Sequence, residues 1–110
     1  MILVETSLPK LFSAAALTIW PFVFITTEAA KDTALIAHEN VHYKEQIKYL
    51  VVFWWIAYLL SKSFRQKAEV RAYKVQISLG GLTVDQAAYY LSTIYKLGIT
   101  RDQAVKLLTE

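Results

Sequence analysis

The sequence predicts a mainly α protein with a short N-terminal β element, the α+β class, and three features carry that reading. β-branched and aromatic residues crowd one stretch near the N-terminus, from Leu17 to Thr26. From Thr33 onward the chain instead carries helix-start and helix-stop signals. Near the C-terminus it echoes itself, GLTVDQA from Gly81 to Ala87 returning as GITRDQA from Gly98 to Ala104, each with a Thr-x-x-Gln capping box. At 110 residues, 55% of them hydrophobic, the chain forms one domain, 1–110, able to bury a single core.

The first segment, 1–30, is read as strand. Ile19, Trp20, Phe22, Val23, Phe24, Ile25, Thr26 and Thr27 favour a pleated, buried surface, and Pro21 would break a helix but can sit on an edge strand. Leu17–Thr26 is therefore expected as one strand, with Ile2–Val4 paired beside it. The uncharged run LFSAAALTIWPFVFITT also resembles a signal peptide or short anchor. It is shorter than the roughly 20 apolar residues a spanning helix needs, and Ser13, Thr18 and Pro21 interrupt it. The strand is preferred, and a cytoplasmic location with it; an N-terminal anchor or signal is the alternative.

The second segment, 33–61, begins where Asp32 or Thr33 caps a helix starting at Ala34, and no breaker interrupts it before the SKS turn at Ser61–Ser63. Its second half, YLVVFWWIAYLL from Tyr49 to Leu60, suits a buried core helix by its length. The i, i+4 pairs Trp54–Tyr58 and Val51–Trp55 are read as core, in preference to a membrane-interface belt. Ser63 and Gln66 then form a capping box for a helix from Phe64 to Leu79, within the segment 63–79, which Gly80 and Gly81 end. The two echoed boxes open helices at Val84–Leu97 and Arg101–Thr109, a hairpin over 83–109 that closes the core. An independent partner-binding module is the lesser reading of that hairpin.

Composition removes several function classes. Twelve basic and nine acidic residues leave a net charge of +3, too weak an excess to imply nucleic acid. Lys67, Arg71 and Lys74 line one helix face, but no stacking aromatics interleave them, so they are read as a solvated face. There is no cysteine, which rules out disulfides and thiolate ligands. Any metal must be held by histidine and carboxylate.

The chain's two histidines stand in LIAHENVHYKEQ, residues 35–46, as His38 and His42 with Glu39 beside the first. On a helix, i and i+4 share a face, so both imidazoles can address one ion. Two His and one further ligand leave a position for water, whose pKa the metal lowers toward about 7, and an adjacent carboxylate can take its proton. Glu39 is the expected base. A chance match to H-E-x-x-H in such a chain arises on the order of once in a thousand sequences. The third ligand is expected to be Glu69, if its helix folds back antiparallel on the first. Glu45 would compete poorly for a tetrahedral position, Asp32 is weaker, and Glu28 weaker still. Tyr73, one turn after Glu69, can donate to an oxyanion or simply pack; Gln46, one turn after His42, can orient a ligand or bind substrate.

With ALTIWPFVFI (16–25), HENVH, the aromatic FWWIAYLL and AEVRAY (68–73) in hand, residues 16–77 resemble small HExxH metallopeptidases of phages and bacteria, related in motif to the gluzincins. The resemblance implies a minimal zincin-like helical domain in which His38, His42 and Glu69 ligate Zn2+ and Glu39 is the base. It also places WPF at the strand before the active helix. One departure is visible: such relatives often carry two glutamines after the second histidine, and the first is here Glu45.

The expected function is hydrolysis of peptide bonds in a peptide or protein substrate, with zinc as cofactor, Glu39 and Tyr73 as catalytic groups, and no nucleic-acid partner. The alternative is a non-catalytic accessory protein, metal-stabilised or membrane-associated, in which zinc contributes folding energy. Membrane association is the less favoured partner reading.

Overall fold

The computed structural model describes residues 1–110 and has the α+β arrangement expected. Ile2–Glu5 forms β1, Ala16–Ile19 β2 and Phe22–Ile25 β3, with a 3-10 turn at Leu8–Phe12 between the first two. β3 is central, parallel to β1 and antiparallel to β2. The run from Leu17 to Thr26 is thus a hairpin and not one strand. Pro21 falls at the reversal, where its missing N–H costs no ladder bond, and its carbonyl accepts from the Ile2 N–H at 3.0 Å. Across the hairpin Ala16 pairs with Ile25 and Thr18 with Val23, and all four are buried. Ile19 and Phe22, on the opposite face, are exposed.

Thr33–Lys48 forms α1, capped by the Asp32 carboxylate, which accepts from the Leu35 N–H at 3.0 Å. The helix expected to continue to Ser61 stops instead at Lys48. Leu50 takes φ 58°, and α2 runs over Val51–Leu60. No glycine, proline or asparagine marks this break, so its cause is tertiary. On a straight helix Trp54 would lie about 18 Å along the axis from His42. The break returns its ring to 5.7 Å from the His42 ring and 6.0 Å from Phe64.

Ser61, and not Ser63, opens α3, which spans Lys62–Ser78. Its hydroxyl accepts from the Phe64 N–H at 3.1 Å, while its own N–H donates to the Ala57 carbonyl at 2.8 Å. One residue therefore ends α2 and starts α3. After α3 the chain turns at Gly80, whose φ of 74° favours glycine. Gly81 is required for closeness: a Cβ there would stand 2.3 Å from the Ala34 Cβ and 3.1 Å from the Gln76 Cγ. Gly81→Ala should destabilise the fold by about 1–3 kcal/mol, as overpacking does. Thermal denaturation should show a drop of several degrees, and an unchanged midpoint would contradict this account of the loop.

Val84–Thr93 forms α4 and Arg101–Thr109 forms α5, each opened by a complete capping box, Thr83 with Gln86 and Thr100 with Gln103. α4 ends before the expected Leu97, with Lys96 at φ 55°. The early end turns the Tyr95 hydroxyl toward Tyr73, 2.6 Å away. It also presents the Tyr95 and Lys96 carbonyls to the Arg65 guanidinium at 2.8 and 3.3 Å.

α3 separates two environments. One face meets α4 and α5 in the apolar core of Tyr73, Ala87, Ala88, Leu91, Leu97, Ala104 and Leu108. The adjoining face, with the small Ala68 and Ala72 among its buried residues, lies against α1. α1 inverts the usual amphipathic pattern, because most of its buried residues are polar: His38, Glu39, His42 and Gln46 beside Ala34. No helix is long and apolar enough to cross a membrane.

Candidate metal centre

α1 and α3 run antiparallel, so His42 faces Glu69 and His38 faces Tyr73. The two imidazoles and the Glu69 carboxylate converge. His38 Nε2 and His42 Nε2 are 3.2 Å apart, and Glu69 Oε1 is 3.2 Å from the second and 3.4 Å from the first. Ligands held tetrahedrally about 2.0–2.1 Å from one ion stand roughly 3.3 Å from each other, so the triangle has the dimensions of a three-ligand zinc site. The donor set, two imidazole nitrogens and one carboxylate oxygen, suits that ion. All three residues are 5% exposed or less.

The electrostatics fit a cation at this point. Burial alone would lower the His42 pKa, but the Glu69 charge and hydrogen bond, with Glu39 and Glu45 beyond, raise it to about 9. Burial would raise the Glu69 carboxyl, but the charge of His42 and hydrogen bonds from both histidines hold it well below the usual carboxylate range. Without metal a proton on His42 takes the place of the positive charge, and a metal must displace it. The Nδ1 atoms of His38 and His42 have no hydrogen-bond partner. Both rings thus spend their polar contacts on the triangle.

Glu39 lies beside the triangle without joining it, and its Oε2 accepts from the Thr18 hydroxyl on β2. Gln46 explains how that strand is held. Its Oε1 accepts from the Trp20 N–H at 2.7 Å, and its Nε2 donates to the Thr18 carbonyl at 2.8 Å. The amide thereby binds Thr18 on the edge strand and Trp20 in the turn that follows, alternate residues, as a neighbouring strand would. Gln46 serves the strand rather than a ligand or substrate. Gln46→Leu should unpair two main-chain groups at about 1–3 kcal/mol each. It should lower the melting temperature while leaving His38, His42 and Glu69 in place; full stability in this variant would contradict the clamp.

The other carboxylates considered as third ligand are occupied elsewhere. Asp32 caps α1, and Glu28 is exposed beside Lys10 at 3.5 Å. Glu45 bonds Arg71, its other oxygen standing 3.9 Å from His42 Nδ1, beyond hydrogen-bond range. Arg71, read as part of a solvated stripe, therefore draws Glu45 away from the centre. Tyr73 lies where expected, one turn after Glu69, with its ring edge-on to His38 at 4.6 Å, and its hydroxyl is paired with that of Tyr95. In such a pair one O–H donates to the other, so one hydroxyl proton remains available, and both tyrosines line the cleft.

Tyr58 and Thr18 also touch the cluster, although nothing in the sequence singles them out. The Tyr58 hydroxyl donates to Glu69 Oε2, and its ring stacks on Trp54 at 4.9 Å. Burial, followed by the Glu69 charge, pushes this phenol far above its ordinary range, so it stays a donor. No sequence spacing signals the contact, because it crosses the one-residue turn at Ser61. Around the centre opens a cleft of about 1260 Å³, lined by Leu17, Leu35, Trp55, Leu59, Tyr90 and Ile94 among others.

No protein-family model, curated protein or solved structure matches the chain. The functional reading therefore rests on the centre's own geometry.

Proposed function

We propose that the chain is a zincin-like, zinc-dependent peptidase that hydrolyses peptide bonds in the cleft over α1. The observation that carries this reading is the triangle of His38, His42 and Glu69 with a fourth buried group, Glu39, adjoining but not ligating. Zinc, when bound, supplies Lewis acidity and lowers the pKa of water. Glu39 takes the proton from the attacking water and returns it to the leaving amine. The Thr18 hydroxyl holds the Glu39 carboxylate in one orientation. Tyr58 does the same for Glu69, as outer partners of ligands do. The Tyr73–Tyr95 pair offers its remaining hydroxyl proton to the oxyanion. The apolar and aromatic lining of the cleft suits a peptide with apolar side chains.

A purely structural zinc is the second reading, favoured by the depth of the ligands. Against it, structural sites usually close with four protein ligands, and here three converge beside a cleft. Titrating chelated protein with zinc separates the two readings, with melting and cleavage of an unfolded casein-type substrate recorded together. The proposal expects both to rise and saturate at one equivalent. Stabilisation without cleavage would transfer the site to the structural reading.

A further inference from the structure

Val52, Phe53, Ile56, Leu59 and Leu60 stand at i, i+1, i+4, i+7 and i+8 of α2 and form one stripe. All five are exposed, from 48% at Ile56 to 82% at Leu60. The adjoining Leu50 is also exposed. A continuous apolar patch of this kind marks a surface that something covers. The charges around it say what. Lys48 and Lys62 bracket the helix, both exposed and neither within 4.0 Å of a carboxylate. Between Glu45 and Glu69 the chain holds Lys48, Lys62, Arg65 and Lys67 but no acidic residue.

We propose that α2 is an interfacial helix that docks on an anionic lipid surface, its stripe sunk to the headgroup boundary and Lys48 and Lys62 on lipid phosphates. At ten residues the helix is about 15 Å long, too short to cross a bilayer but suited to lie along one. A second copy of the chain fits the same surface poorly. In a two-fold interface the segment meets itself, which brings the lysines of both copies together with no carboxylate from Gln46 to Ala68 to neutralise them. Lipid phosphate supplies the missing negative charge. Trp55, Tyr58 and Leu59 of the same helix line the cleft, so docking sets the cleft beside the headgroups.

The test is sedimentation of the full chain with vesicles of phosphatidylcholine containing phosphatidylglycerol and with vesicles of phosphatidylcholine alone, the free protein's mass being measured by light scattering. The chain should sediment with the anionic vesicles and be released by salt. Paired Phe53→Glu and Ile56→Glu should weaken binding at least about tenfold, through loss of buried apolar surface. Paired Lys48→Gln and Lys62→Gln should weaken it about fivefold per charge removed, with the melting temperature unchanged. Wild-type protein that stays in solution with anionic vesicles would overturn the proposal, and equal sedimentation with both vesicle types would overturn its anionic basis. So would a wild-type dimer that the Phe53→Glu, Ile56→Glu pair dissociates. None of these readouts involves hydrolysis or zinc, so failure here leaves the reading of the metal centre intact.

Discussion

Glu39→Gln should retain one zinc and the wild-type melting temperature, yet lose peptide hydrolysis by roughly 10²–10⁴-fold, the range for removing a positioned general base. The substitution preserves shape and burial. The Thr18 hydroxyl can accept from the new amide and turn its own proton to the residue-39 carbonyl, already 3.4 Å away. Nothing in the His38–His42–Glu69 triangle changes. What disappears is the basic carboxylate that accepts the proton of the attacking water, because an amide oxygen is too weak a base to take it. At about 1.4 kcal/mol per decade, the loss is a barrier increase of about 3–5 kcal/mol. Hydrolysis at the wild-type rate, measured on a fluorogenic peptide library with zinc content verified, would remove Glu39 from the chemistry.

Glu69→Ala should have the largest effect on binding and stability. Glu69 is the only one of the three converging groups on α3, and its second oxygen receives Tyr58. Removing it takes away a third of the ligand set and strips a partner from His42 and from a buried phenol. In metal-free protein, breaking a buried ion pair from one side costs about 3–5 kcal/mol. Zinc should no longer raise the melting temperature. Tyr58→Phe keeps the ligand but frees its outer oxygen, and its zinc affinity should fall by the roughly 10–100-fold typical of such partners. A Glu69→Ala protein that binds zinc as tightly as wild type would show that another carboxylate serves, and Glu45, 3.9 Å from His42 Nδ1, would be the first to examine.

How far the sequence foretells this arrangement depends on the range of the forces involved. The capping boxes at Thr83 and Thr100 are local exchanges between residues three apart, and both are readable from the sequence alone. The nearness of Glu69 to the histidines needs only a helix that folds back, which the serines near Ser61 announce. The break at Leu50 is not readable, because no residue there prefers it. Packing of Trp54 over His42 and Phe64 imposes it from a distance. The β2–β3 hairpin is hidden because both strands are equally rich in strand formers and Pro21 is compatible with an edge as well as with a turn. Ser61 and Ser63 are chemically equal caps, and only the sharp turn out of α2 selects the first. Gln46 stands out as part of the polar stripe on α1, but its partners, Trp20 just past β2 and Thr18 on β2, lie 26 and 28 residues away. Thr18 and Tyr58 are invisible for the same reason.

If three buried side chains from two antiparallel helices hold one divalent cation, elemental analysis of the as-purified protein, with His38→Ala prepared in parallel, should find one equivalent of zinc in the wild type and a loss of most of it in the variant. Protein without stoichiometric metal that also fails to take up zinc after chelation, or a His38→Ala protein that keeps its full equivalent, would contradict this reading.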